Sequence, residues 1–121
     1  MWEPLTLSAL RACLTVLSVA TLSTPSLGAT LECPDFSTLT IKEPARTMLA
    51  QRRALQDRGG LALPQLVYEL RANHPQSPNG EITNYLLALY CPIVNADNAL
   101  TKSAKTRKIN RFAGEVRAQE H

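Results

Sequence analysis

The sequence has few aromatic residues and few of the side chains from which catalytic sites are usually built. Its 121 residues include two Phe, three Tyr and one Trp, so the core must rest on Leu, Ile, Val and Ala. Its two histidines, His74 and His121, have no partner at metal-ligand spacing. The nucleophile elbow, the P-loop, the dinucleotide fingerprint, the zinc-protease motif and the haem-attachment motif are all missing from the sequence. We therefore expect a non-enzymatic protein with no cofactor and no metal.

The charge of the chain is moderate and slightly basic. Charged residues make up 19% of the sequence, and the formal net charge is +3. This composition argues against wholesale disorder, and the length allows one domain at most. A mild basic excess favours weak attraction to anionic surfaces but does not by itself imply specific nucleic-acid binding.

The N-terminus has the pattern of a secretory signal peptide. Arg11 precedes an apolar stretch over residues 12–22, Pro25 interrupts the chain, and small residues follow. The stretch is shorter than the roughly 20 apolar residues of a membrane span. The alternative interpretation is an N-terminal core helix.

We predict a signal peptide over residues 1–28 and a single helical domain over residues 29–121. Cleavage follows Gly28 or Ala29, and we prefer the first because small residues then occupy both specificity positions. This prediction places the protein in the periplasm or outside the cell, with no transmembrane span after cleavage.

The cysteines predict one disulfide. Cys13 leaves with the signal peptide, so the mature chain keeps only Cys33 and Cys91. Two cysteines in an exported domain of this size most simply pair with each other. The alternative is a reactive Cys91 thiol with His74 as its base.

Apolar spacing and turn residues predict an all-α domain, a small bundle of about four short helices held by one disulfide. The helices are separated by glycine-rich, proline-rich and polar turns. Four of the predicted segments are an irregular lead-in over 29–42, a helix from Pro44 to Gly59, a helix over 61–73, and a basic helix over 101–121.

The remaining helix is predicted to be the central one. Ser77 or Asn79 should cap its start, and Pro92 should end or kink it near Cys91, because proline has no N–H to donate. The apolar residues of this helix form a broad face that predicts burial among the other helices. They are Ile82, Tyr85, Leu86, Leu89, Tyr90 and Ile93.

The basic C-terminal helix is the strongest candidate for a binding surface. Its cations predict contact with an anionic protein, lipid or polyanion surface, whereas the alternative is an ordinary solvated helix face. The candidate partner-binding residues are Lys102, Lys105, Arg107, Lys108, Arg111 and Arg117.

A short motif lies near the end of the central helix. It consists of a Tyr-Cys-Pro-Ile-Val stretch from Tyr90, a short Asn/Asp loop, and then Lys105 and Arg107 ahead of Phe112. This motif resembles a group of uncharacterised small exported proteins of proteobacteria. The resemblance implies a periplasmic setting and no known activity.

The stretch Cys33-Pro34-Asp35-Phe36 resembles the Cys-x-Asp-Phe start of the HdeA-type acid-stress chaperones, which are small, periplasmic and helical with one disulfide. The cysteine spacing is longer here, and the basic helix and the proline-rich turns depart from that family. No binding residue is carried over from it. The resemblance implies a holdase that protects client proteins at low pH.

Three functions follow from the sequence. The leading hypothesis is a small exported binding or interaction module that contacts an anionic partner through its basic helix. The second is a periplasmic acid-stress holdase, and the third is an enzyme with an unrecognised site.

Overall fold

The computed structural model describes residues 30–120. The predicted signal peptide, with Cys13, and the terminal His121 lie outside the described residues. The described chain contains four α-helices and two short 3₁₀ turns, at Phe36–Thr38 and Gly59–Ala62. No strand occurs between residues 30 and 120, so the predicted all-α bundle is confirmed. The α-helices are α1 (Ala45–Arg58), α2 (Leu63–Asn73), α3 (Asn79–Asn95) and α4 (Lys102–Gln119).

Local sequence signals set the boundaries of the first two helices. Gly59 ends α1 with φ +56°, a left-handed conformation that glycine adopts without strain. Pro64 lies in the first turn of α2, where its missing N–H leaves no helical bond unmade. The end of α1 at Gly59 was predicted from the sequence.

Helix α3 forms the centre of the bundle, as predicted. It contacts α1, α2 and most extensively α4. Because neighbours surround it, its buried residues extend over most of its circumference. They are Ile82, Thr83, Tyr85, Leu86, Ala88, Leu89, Tyr90, Cys91 and Val94.

The two ends of α3 differ from the sequence prediction. The cap residue is Pro78, and neither Ser77 nor Asn79 provides a capping side chain. Helix α3 also does not end near Cys91: it continues through Pro92 to Asn95. Proline removes one helical donor but keeps its carbonyl, and the carbonyl of Pro92 accepts a hydrogen bond from the N–H of Ala96 at 3.0 Å.

The predicted disulfide is confirmed and fixes the lead-in segment to α3. The Sγ atoms of Cys33 and Cys91 lie 2.14 Å apart. The side chain of Asn95 adds a second connection, accepting from the N–H of Leu31 and donating to its carbonyl, each at 2.8 Å. Leu39 of the same segment is buried in the core. The irregular lead-in therefore completes the bundle.

Candidate functional site

Packing against α3 determines which face of α4 points to solvent. Thr101 caps α4, and its hydroxyl accepts from the N–H of Ala104 at 3.1 Å. Phe112 and Val116 are buried, and the ring of Phe112 stacks on Tyr90 with a centroid distance of 4.0 Å. Residues on the opposite side of α4 are therefore left to solvent.

Lys105 does not belong to the basic surface, which corrects the sequence prediction. Its relative exposure is 0%, and its Nζ donates to the carbonyl of Asn95 at 3.0 Å. Lys105 lies one turn before Ile109, so its stem lies on the inner face of α4. The ammonium group reaches the C-terminus of α3, where carbonyls lack helical partners and favour a cation.

Three of the predicted cations form one exposed cluster on the outer face of α4. Arg107, Lys108 and Arg111 are exposed and are spaced three and four residues apart around Arg111, which makes them neighbours on a helix surface. We call these three residues the α4 cation cluster.

The remaining exposed cations of α4 lie elsewhere. Lys102 is the first residue of the helix. Arg117 lines a separate cavity of about 440 Å³ together with Asn79, at the start of α3, and Glu120. The six predicted residues therefore divide into one buried lysine, one cluster of three and two isolated cations.

Few acidic side chains are near enough to neutralise the positive charge of the α4 cation cluster. Among residues 30–120, no carboxylate lies within ion-pair distance of its three members. Arg107 donates to the hydroxyl of Ser103 at 3.2 Å.

Burial raises the pKa of Tyr90, the charge of Glu115 raises it further, and Arg111 opposes this increase. Glu115 is the one carboxylate on α4 and lies four residues beyond Arg111.

The alternative thiol site predicted from Cys91 and His74 does not form. Cys91 is in the disulfide, and Nε2 of His74 instead lies 3.1 Å from a carboxylate oxygen of Glu43. The hydroxyl of Tyr85 donates to the side chain of Gln51 at 2.6 Å inside the core. These polar contacts connect α3 and its preceding turn to the first part of the domain.

An exposed apolar surface on α2 and the 3₁₀ turn before it was missed by the sequence prediction. Leu61 is 83% exposed and Tyr68 is 71% exposed. Exposed Pro64 and Ala72 complete a row at three- and four-residue spacing, which we call the α2 outer stripe. This spacing can be read from the sequence, but the inner face of α2 has a second apolar row with the same spacing and more large apolar residues, which hides the outer row.

Comparison of this chain with known protein families, with curated proteins and with solved structures finds no match. Within residues 30–120, none of the helices has the length and apolar character needed to cross a membrane.

Proposed function

We propose that this chain is a small exported interaction module, without catalytic chemistry of its own, that binds an anionic surface through the α4 cation cluster. The observation that carries the proposal is the grouping of Arg107, Lys108 and Arg111 on one exposed helix face without a paired carboxylate in the described chain. The predicted signal peptide supports an exported setting.

The shape around the cluster favours an extended anionic surface over a single small anion. Four cavities of the described residues are lined by other side chains, whereas these three cations lie on one exposed helix face. Membrane phosphate headgroups present many charges to such a face. Each cation near an anionic membrane contributes about 1 kcal/mol, so we expect weak, salt-sensitive binding.

Vesicle sedimentation tests the proposal. Purified exported protein is mixed with anionic phosphatidylglycerol vesicles or neutral phosphatidylcholine vesicles at two salt concentrations. The cluster variant is Lys108→Glu with Arg111→Glu. The matched control is Arg46→Glu with Arg53→Glu, which makes the same charge change at exposed positions of α1.

We expect the wild-type protein and the α1 control to bind anionic vesicles at low salt, and the cluster variant to remain in solution. Equal loss in both variants would assign binding to net charge and overturn the proposal. Absence of wild-type binding would do the same. Binding to heparin but not to vesicles would exclude the membrane and favour a soluble polyanion.

The second candidate function is an acid-stress holdase, which two features of the structure favour. Leu61 and Tyr68 already expose apolar surface. The lead-in is held by an acid-sensitive contact, since the carboxylate of Glu81 accepts from the backbone and hydroxyl of Thr40. The test is suppression of client aggregation at about pH 3, where carboxylates become protonated. A protein that stays compact and inert at that pH excludes this function.

A further inference from the structure

We propose that the α2 outer stripe is the contact surface for a second copy of this chain, packed antiparallel about a two-fold axis. A different observation from the cation cluster carries this proposal. It concerns the stripe residues Leu61, Pro64, Tyr68 and Ala72 and the charges beside them.

The apolar residues of one stripe fit those of a second copy that runs in the opposite direction. The stripe extends about 17 Å along the helix axis, at about 1.5 Å per residue. Antiparallel pairing about its midpoint places Leu61 opposite Ala72 of the second copy and Pro64 opposite Tyr68 of the second copy. Large residues then face small ones, and the tyrosine ring covers a proline ring, which favours close packing.

The charges on the α4 side of the stripe have opposite signs at its two ends. The carboxylate of Glu115 lies over Gly60, at the start of the stripe, so closely that a Cβ at Gly60 would clash with it. Arg71 lies at the other end and donates to the carbonyl of Glu120 at 2.9 Å. This side therefore begins with a carboxylate and ends with a guanidinium.

The charges on the α1 side have the reverse order. Arg58 and Glu69 line the groove between α1 and α2. Arg58 directly precedes the 3₁₀ turn that leads into α2, and Glu69 lies in the second half of α2. This side therefore begins with a guanidinium and ends with a carboxylate.

In antiparallel two-fold packing, the α4 side of one copy lies against the α4 side of the second copy, and the two α1 sides likewise lie together. The two copies run in opposite directions, so the start of each side meets the end of the same side in the second copy. Glu115 then faces Arg71 of the second copy, and Arg58 faces Glu69 of the second copy. Every pair joins opposite charges. A parallel pair would also join opposite charges, but it would stack Leu61 on Leu61 and align the two helix dipoles unfavourably. The antiparallel arrangement is therefore preferred.

The size of the surface predicts a weak dimer. A stable interface buries about 800 Å² on each partner, and we expect one helix face with its two flanks to bury less. We expect a monomer in dilute solution and a dimer that accumulates as the concentration rises.

Sedimentation equilibrium over a concentration series up to about 1 mM tests this inference. The stripe variant is Tyr68→Glu. The matched control is Leu49→Glu, which places the same charge at an exposed apolar residue of α1. We expect the wild-type protein and Leu49→Glu to dimerise equally and Tyr68→Glu to remain monomeric. If the wild-type chain is monomeric at every concentration, the proposal is overturned, and the stripe is then a candidate contact surface for a different protein. Equal weakening by both variants also overturns it.

A charge-exchange series tests the orientation. Arg71→Glu should weaken the dimer at least tenfold, and adding Glu115→Arg should restore it, because the pair then has exchanged signs. Adding Glu69→Arg should not restore it. Restoration by Glu69→Arg instead of Glu115→Arg would overturn the antiparallel geometry. Circular dichroism of dilute samples verifies that each variant keeps its helices.

Discussion

The ammonium group of Lys105 lies 3.0 Å from the main-chain carbonyl of Asn95, while the side chain of Asn95 bonds the backbone of Leu31. One residue therefore connects the end of α3, the inner face of α4 and the start of the described chain. The amide of Asn95 also contacts Sγ of Cys33 at 3.1 Å. The disulfide and this polar junction together stabilise one end of the bundle.

Replacing Lys105 should destabilise the fold. Lys105→Met keeps the apolar stem but removes a charged hydrogen bond, so we expect a loss of about 2 kcal/mol in the free energy of unfolding. Lys105→Glu buries an unpaired carboxylate beside carbonyls and should cost about 3–5 kcal/mol. Urea denaturation measures both. Lys108→Glu, on the exposed face, should change the free energy of unfolding by less than about 0.5 kcal/mol; equal effects at the two positions would contradict the assigned burial.

Asn95→Ala should loosen the lead-in without unfolding the bundle. It removes the side-chain bonds to Leu31 and the contact with Cys33 but keeps the main-chain carbonyl that Lys105 uses. We expect a loss of about 1–3 kcal/mol because partly buried polar groups lose their partners. Hydrogen exchange should accelerate at Leu31 and the residues beside it. The control Asn84→Ala, at an exposed position of α3, should leave that exchange unchanged.

Removing the disulfide should cost more than any single hydrogen bond. Cys33 and Cys91 are separated by 58 positions, and the chain-entropy estimate for closing a loop of that length is about 4 kcal/mol. Cys33→Ser with Cys91→Ser should therefore lower the thermal midpoint strongly. Calorimetry with and without a reductant provides the comparison. A reductant should affect the wild-type protein and leave the double variant unchanged, and a wild-type protein insensitive to complete reduction would contradict this expectation.

Acid should weaken the attachment of the lead-in. Hydrogen bonds from the side chain and then the backbone of Thr40 lower the pKa of Glu81, and the N–H and hydroxyl of Ser37 lower the pKa of Asp35. A carboxyl whose pKa is lower in the folded state stabilises the fold above its unfolded pKa. That contribution is lost as the pH falls through the folded value. Stability should therefore decline below about pH 4.

The test of this pH dependence is the thermal midpoint measured between neutral pH and acid. Glu81→Gln should flatten the acid decline because it removes one of the two carboxyls. The control is Glu32→Gln, at an exposed position of the lead-in, which should retain the wild-type profile. An identical acid decline in Glu81→Gln and the wild type would refute a role for the Thr40 contact.

Local chemistry predicted much of the fold. Gly59, Pro64 and Thr101 each act within a few residues of the chain, so their effects on helix ends are readable from sequence. The disulfide followed from counting, because Cys33 had only Cys91 as a partner once the signal peptide was set aside. The helix does not end at Pro92, because burial of both Cys91 and Val94 favours continuing it, and that burial is a property of the whole bundle.

The candidate surfaces were harder to predict because they depend on the neighbours of each helix face. Six cations of α4 have the same formal charge, but only packing against α3 distinguishes buried Lys105 from exposed Lys108. Helix α2 has two apolar rows, and its contacts with the other helices bury the row that contains Leu66. Tyr68 is left outside for that reason. Spacing alone does not determine which row is buried.

The junction at Asn95 also sets an order of events during folding. A chain that emerges N-terminus first presents Leu31 and Cys33 long before their partners, since Leu31 and Asn95 are 64 positions apart. We expect such a long-range contact to form late, after α1 and α2 have had time to form from local interactions. Leu31 and Cys33 therefore have no such partners until α3 is complete. We expect the segment around Leu31 and Cys33 to be the last described part of the chain to become fixed.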